Sequence, residues 1–185
     1  AAFESRVTYV ETDLLDVDRA LQQVAPVDAI FSTATFHWID DHARLFAALH
    51  GVVKPGGQLV SQFGGGANLA GFMQATDAVA ERPAYADDLQ GKSLWRFFYS
   101  PEQTRERLQS AGFTVVDAWL EPSPQTFEDG ASLGNFARAV VLRNHLNALP
   151  AALQDAFVAE VTAEIARRQG GYVLDYVRLN ADATA

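Results

Sequence analysis

There is no cysteine in the 185 residues, and methionine occurs once. Disulfides, thiolate metal sites and cysteine nucleophiles are thereby excluded. Cations are scarce too: 14 Lys and Arg stand against 23 Asp and Glu, a net charge of -9. An acidic surface repels phosphate backbones and anionic lipid, so neither nucleic acid nor membrane is an expected partner. No apolar run approaches the roughly 20 residues that span a bilayer. No charged-then-apolar leader stands ahead of the first strand-like segment, and the expected home is cytoplasmic. There is no G-x-S-x-G elbow, which disfavours a hydrolase. His42, His50 and His145 are scattered and show no ligand spacing such as H-E-x-x-H, so no metal is expected. The chain opens Ala1-Ala2-Phe3 without Met and enters a strand-like segment within a few residues, as a piece of a longer protein would.

What is present is an ordinary globular balance, 49% hydrophobic and 20% charged, with enough length for a substantial core. The organising stretch runs from Val27 to Phe63. Its apolar run around Ala29-Ile30-Phe31 reads as a buried strand covered on both faces. Ser32 to Asp41 reads as a polar-aromatic loop. His42 to Val53 reads as a helix with Leu45, Leu49, Val52 and Val53 as its buried stripe. Lys54-Pro55-Gly56-Gly57 then reverses the chain into a second strand, Leu59 to Phe63. Strand, helix, strand in this rhythm argues a right-handed crossover and a mainly parallel sheet.

Elsewhere, Ala1 to Arg6 reads as a helix tail and Val7-Thr8-Tyr9-Val10 as a short strand. Val17, Leu21 and Val24 share one helix face, which Pro26 ends. Gly64-Gly65-Gly66 fails the G-x-G-x-x-G test, because the sixth residue is Leu69, and reads as a flexible strand exit. Leu69, Phe72, Met73, Thr76 and Ala80 form a helix face, and Arg82 to Lys92 a surface loop. Ser100-Pro101-Glu102-Gln103 is a capping-box helix start, with Gly112 at the far end and a strand over Phe113 to Leu120. Ser132 to Leu146 is a helix. A further helix opens at Pro150, repeats Leu153, Phe157, Val161 and Ile165, and ends at Gly170-Gly171. Tyr172 to Leu179 reads as a final strand and Asn180 to Ala185 as a tail.

Taken in order, Asp13 after a strand, then D-A-I-F-S-T-A-T-F-H-W, K-P-G-G-Q-L-V and S-P-E-Q-T-R-E-R-L-Q-S-A-G-F form a set. That set resembles the C-terminal two thirds of a class I S-adenosylmethionine-dependent methyltransferase. The resemblance is closest to the branch of the trans-aconitate methyltransferases, which carry a similar S-x-x-x-x-H-W loop and a late helical cover. It implies an α/β, Rossmann-like methyltransferase fold with a helical cap. Residues 1–66 would be a partial cofactor-binding core and 67–98 a cap insertion. Residues 99–122 would be core helix and strand, 123–170 helical cover, and 171–185 final strand and tail. The implied activity is methyl transfer from S-adenosyl-L-methionine to a small, carboxylate-bearing metabolite.

The same resemblance implies roles. Asp13 would accept a hydrogen bond from the adenine amine, with the backbone N–H of Leu14 beside it; the alternative makes Asp13 a helix cap. Ser32, Thr33 and Ala34 end a central strand, where open α/β sheets bind ligands, and would pass the methionine part of the cofactor. His37 would orient or deprotonate the acceptor, and Trp38 would stack on adenine or wall the pocket. The alternative makes Trp38 a packing residue and His37 a surface one. Arg96, Tyr99, Arg138 and Tyr176 are substrate-binding candidates, Arg96 because guanidinium pairs bidentately with carboxylate.

One departure matters. The family's acidic-Gly-x-Gly loop after the first strand, and the acidic end of the second, are absent; Asp129-Gly130-Ala131-Ser132 lacks the second glycine. The family's order puts those strands between the third and fourth, so the fold is expected to be N-terminally truncated, with its first two strands absent. Exposed sheet edges then invite a homodimer, and the chain by itself should bind cofactor poorly. Two other functions stay open: a non-catalytic dimerising module of the same fold, and a Rossmann-type NAD(P)-dependent oxidoreductase.

Overall fold

A computed structural model of the chain describes residues 7–185; the helix tail expected at Ala1 to Arg6 lies outside the described residues. The chain divides into two compact units. One takes the chain up to Gly65 with Tyr99–Leu120 and Leu179–Ala185, and the other takes Gly66–Phe98 and Glu121–Arg178.

The first unit is built on a four-stranded sheet. Its strands are β1 (Val27–Thr33), β2 (Val53–Gly64), β3 (Thr114–Pro122) and β6 (Val177–Thr184), in the order β1-β2-β6-β3. β1 and β2 run parallel, with Ile30 opposite Leu59 and Ser32 opposite Ser61. The period of two puts Leu59, Ser61 and Phe63 of β2 on one buried face. That face packs against helices α2 (His42–His50) and α5 (Pro101–Ser110) through Leu45, Leu49, Leu108 and Phe113. Each large apolar side chain removed from water there stabilises the fold by roughly 1.5–3 kcal/mol. Both helices begin on local signals. The Asp41 carboxylate accepts from the N–H of Arg44 at 2.9 Å. At α5 the Ser100 hydroxyl accepts from Gln103 N at 3.2 Å, and Gln103 Oε1 accepts from Ser100 N at 3.0 Å. The capping box read in the sequence is therefore complete.

Several expectations are corrected in this unit. Val7-Thr8-Tyr9-Val10 forms no strand, and Tyr9 is 92% exposed. A β-rich tetrapeptide becomes a strand only beside a partner, and among the described residues β1 is the sheet's edge. Nor is β1 buried on both faces: Phe31 is 78% exposed. The helix expected over Val17, Leu21 and Val24 shortens to a 3₁₀ turn, Leu14–Asp16, and one helical turn α1, Val17–Ala20. Helix α2 stops at His50, and Val53 already belongs to β2. Lys54-Pro55-Gly56-Gly57 lies inside β2 as an irregularity, where the register moves from Val27–Val53 to Ala29–Gln58. A Cβ on Gly57 would sit 2.7 Å from Val53 Cγ2 and 2.8 Å from the Asp28 carbonyl oxygen. Gly65 is no flexible exit either, since a Cβ there would meet Leu179 Cβ at 2.5 Å. Finally, Asn180 to Ala185 is not a tail. Leu179, Ala181 and Ala183 are buried on alternate residues of β6, which lies between β2 and β3. Small and polar residues hid the pattern.

The second unit is helical, with one two-stranded antiparallel ladder of β4 (Gln125–Phe127) and β5 (Tyr172–Leu174). Its core joins α3 (Ala70–Ala80), α6 (Gly130–Val140), α7 (Arg143–Ala148) and α8 (Ala151–Gln169). Phe157, Val161 and Ile165 supply the buried stripe of α8, as their spacing predicts. The helix expected over Ser132 to Leu146 is two, broken after Val140. The loop expected over Arg82 to Lys92 contains helix α4 (Ala86–Leu89) and packs Tyr85 and Leu89 into the core. Tyr85 donates to Glu160 Oε1 at 2.7 Å, so its hydroxyl is satisfied where its ring is buried. The strand expected over Tyr172 to Leu179 breaks at Asp175-Tyr176.

That break frees Asp175 to cap α3. The residue before α3, Leu69, has φ 61° and offers no side-chain cap. Instead Asp175 accepts from the N–H groups of Gly71 at 2.6 Å and Phe72 at 3.2 Å, placing a carboxylate at the positive helix end. Asp175→Ala is expected to lower stability by about 1–2 kcal/mol and Asp175→Asn by less. An unmoved urea midpoint for the alanine variant would remove the cap from this account.

His145 on α7 is 2% exposed, and burial pushes its pKa down to about 4. Above the ordinary value near 6.5, folded and unfolded imidazoles are both neutral and pH has no leverage. Between 6.5 and about 4 only the unfolded chain takes the proton, so stability falls as pH falls, by about 1.4 kcal/mol per pH unit. Below that window the loss levels off. Burial lowers the pKa of His42 as well, so His145→Phe should make the curve of urea midpoint against pH shallower rather than flat. An unaltered slope in that variant would refute the assignment.

Candidate active site at the carboxyl ends of β1 and β2

At the carboxyl end of β1 the backbone leaves the sheet through Ala34, whose φ is 53°. A left-handed alanine is strained by about 1–2 kcal/mol, and such residues gather at functional sites. The turn is held from both sides. Ala34 N donates to the Gln62 carbonyl at 2.8 Å, and Trp38 Nε1 donates to the Ala34 carbonyl at 3.2 Å. A 3₁₀ turn, Phe36–Trp38, follows. Phe36 anchors it in the core against Phe46 and Phe63, with ring centroids 5.9 and 5.4 Å away. His37 and Trp38 then lie on its outer side with rings 5.6 Å apart, Trp38 half exposed.

The N–H of Gly64, the last residue of β2, donates to His37 Nδ1 at 3.2 Å. An amide can only donate, so Nδ1 is the acceptor and a neutral His37 carries its proton on Nε2. In that form Nε2 is a hydrogen-bond donor. Of the two roles expected of His37, orienting an acceptor fits this tautomer, and taking a proton through Nε2 does not.

The remaining sequence candidates divide between the units. Asp13, Leu14, Ser32, Thr33 and Tyr99 belong with His37 and Trp38 in the first; Arg96, Arg138 and Tyr176 belong to the second. Asp13 Oδ1 accepts from Leu15 N at 2.9 Å and so caps the turn beginning at Leu14. Ser32 and Thr33 end β1. Tyr99 donates to the Asp40 carbonyl at 3.0 Å, with the Arg107 guanidinium 4.0 Å above its ring. In the second unit Arg96 is partly buried, donates to the Val140 carbonyl and lines a cavity of about 430 Å³ with Asn68, Met73 and Phe98. Burial lowers the pKa of Arg96, and burial raises that of Tyr176. Arg138 pairs with Asp155 at 2.7 Å on the surface of the helical unit.

Three participants escaped the sequence: Gln62, Gly64 and Asn180. Gln62 Nε2 donates to Asn180 Oδ1 at 2.8 Å, beside the carbonyl that holds Ala34. Asn180 was hidden by the apparent tail, and the Gly64 amide carries no side-chain signal at all.

Residues 1–61 match the methyltransferase domain family. Among curated proteins, the chain is 24% identical over 160 residues to a trans-aconitate 2-methyltransferase of Variovorax paradoxus, covering 86% of this chain and 61% of the relative. A trans-aconitate 2-methyltransferase of Rhizobium rhizogenes is 27% identical over 141 residues, covering 76% and 54%. Among solved structures, a Bacillus halodurans protein classed with the methyltransferases superposes with a TM-score of 0.56 at 12% identity, over 97% of this chain and 78% of that one. The chain has the fold of the methyltransferases. It spans about three fifths of the length of the curated relatives it matches. Within the methyltransferase fold, the Ala34 turn and His37 occupy the carboxyl ends of parallel strands, the side on which open α/β sheets hold ligands. No helix of the described residues is long and apolar enough to cross a membrane.

The prediction from this geometry is spectroscopic. The ¹⁵N shifts of neutral His37 are expected to report protonation at Nε2, with Nδ1 as acceptor. A proton on Nδ1 would break the bond from Gly64 and overturn the assignment.

Proposed function

We propose that this chain serves S-adenosyl-L-methionine-dependent methyl transfer to a small, carboxylate-bearing metabolite. The observation that carries the reading is the strained Ala34 turn at a parallel strand end, followed by a histidine whose tautomer the Gly64 amide holds. The match of residues 1–61 to the methyltransferase domain family and the names of the curated relatives support it.

The residues present fit one side of the cofactor. Ser32, Thr33 and Ala34 would flank its methionine part, and Trp38 would wall the pocket. Asp13 would take the adenine amine through the carboxylate oxygen that does not cap Leu15, with Leu14 N–H beside it. The sequence contains no acidic-Gly-x-Gly loop to hold the ribose and amino-acid ends. When bound, the cofactor supplies a methyl group on a sulfonium. The work left to the protein is alignment and exclusion of water, because a carboxylate oxygen is already a nucleophile and needs no base. His37 suits that division of labour: donating from Nε2, it orients the acceptor and leaves the proton where it is.

The test is calorimetric, with S-adenosylhomocysteine titrated into the 185-residue chain and into the longest reading frame that contains it. Weak binding is expected for the chain alone. Saturable binding is expected for a longer frame that carries the glycine loop, together with methyl transfer to trans-aconitate as the first acceptor assayed. A frame with that loop that neither binds S-adenosylhomocysteine nor methylates any carboxylate tried sinks the reading.

A further inference from the structure

The cavity of about 430 Å³ in the helical unit has no part in the methyl-transfer reading. Its volume falls within the range of small-molecule pockets. Ala67 and Asn68 line it from the approach to α3, Ala70 and Met73 from α3 itself, and Arg96 and Phe98 from the connection beyond α4. The lining holds one arginine and no Asp or Glu, in a chain where acidic residues outnumber Lys and Arg by 23 to 14.

Asn68 is the informative residue of that wall. It is 3% exposed, and the N–H of Val177 donates to its Oδ1 at 2.8 Å. A backbone amide can only donate, so this bond fixes which end of the carboxamide is oxygen and leaves Nδ2 as the other end. Among the described residues nothing accepts from Nδ2, yet the atom keeps accessible surface, unlike the sealed Nδ1 of His145. Side-chain donors this deep are normally partnered. The loop that carries this donor is tied down a second time, by Leu69 N donating to the Asp175 carbonyl at 3.0 Å. Arg96 is anchored as well, because its Nη2 donates to the Val140 carbonyl. The wall therefore holds an amide donor and a cation in fixed positions.

We propose that this cavity binds a small aromatic monocarboxylate, whose carboxylate accepts from Asn68 Nδ2 in the field of the Arg96 guanidinium. Both protein groups only donate, and an ionised carboxylate only accepts. A bond to an ionised acceptor is roughly twice as strong as a neutral one. The Phe98 ring and the Met73 thioether, both in the lining, suit an aromatic body. The Asp175 carboxylate at the start of α3 is outside the lining, and both its oxygens accept from α3 amides. The site lies wholly within the helical unit and does not rest on the methyl-transfer reading.

The experiment uses the 185-residue chain with two probes of one shape, 4-fluorobenzoate and the uncharged 4-fluorobenzamide, followed by ¹⁹F NMR. The benzoate should bind saturably and about tenfold more tightly than the benzamide, the worth of one charge-assisted hydrogen bond. Its titration should move the side-chain amide resonances of Asn68. Asn68→Asp keeps an acceptor for Val177 N–H and exchanges only the donor, so it should abolish the preference while hydrogen exchange at Val177 stays slow. Arg96→Gln removes the charge and should weaken benzoate severalfold and benzamide little. Absence of saturable benzoate binding overturns the proposal. So do equal affinities in the native chain, or a benzoate preference that survives either substitution. Should the variants fail to fold, the native chain decides: Asn68 amide resonances that stay put at saturating benzoate place the ligand elsewhere and overturn the site.

Discussion

The sheet of the first unit depends on one pairing: the last strand of the chain lies between β2 and β3. Without β6, β2 and β3 have no common neighbour, and the core face would lose Leu179, Ala181 and Ala183 together. The surrounding sequence accommodates that strand. Gly65 leaves the space that Leu179 fills. Ser61 Oγ donates to the Ala181 carbonyl at 3.3 Å. Gly56 N donates to the Ala185 carbonyl at 2.7 Å, and Ala185 N donates to the Gly57 carbonyl at 2.9 Å. The Lys-Pro-Gly-Gly irregularity in β2 thus presents backbone to the chain's final residue. Pairings this distant in sequence are entropically expensive to close and form late, so the sheet is the slow part of this fold to assemble.

The candidate site inherits its geometry from that arrangement. Because β6 pairs alongside β2, Gln62 meets Asn180, and the Gln62 carbonyl is left to hold Ala34. The end of β2 then presents the Gly64 amide to His37. The Gly64 amide therefore sets the tautomer of a neutral His37, and a proton already on Nε2 agrees with a role in orientation rather than proton abstraction.

What could be read from the sequence was what is encoded locally. The α5 cap is complete within four residues, and the α8 stripe repeats within its own helix, so both were legible. What could not be read depends on remote partners. Asp175 caps a helix whose first turn lies about a hundred residues earlier, and nothing near Gly71 announces it. β6 alternates small and polar residues, which is also how a solvated tail reads. Only its position inside the sheet separates the two. Val7 to Val10 erred in the opposite direction: strong β-propensity with no ladder to join. Of the site, the S-T-A-T-F-H-W segment was legible as a whole. The residues that hold it, Gln62, Gly64 and Asn180, were not, because a backbone amide and a single amide pair leave no pattern in the sequence.

The two histidines buried deepest show how differently a buried imidazole can be held. His42 is 1% exposed, yet its Nε2 donates to the Phe36 carbonyl at 2.9 Å. That bond ties the start of α2 to the turn that carries His37. Its burial is accounted for by the turn it holds, and replacing the ring would disturb the site through position alone. His145 is buried as deeply and in equally aromatic company, and among the described residues neither its Nδ1 nor that of His42 has a hydrogen-bond partner. Packing energy is available to both and distinguishes neither, since a phenylalanine would gain it too. The difference lies at Nε2: His42 ties the turn to α2 through the Phe36 carbonyl, whereas His145 is held by its aromatic neighbours, and burial without a compensating bond drives its imidazole to the neutral form.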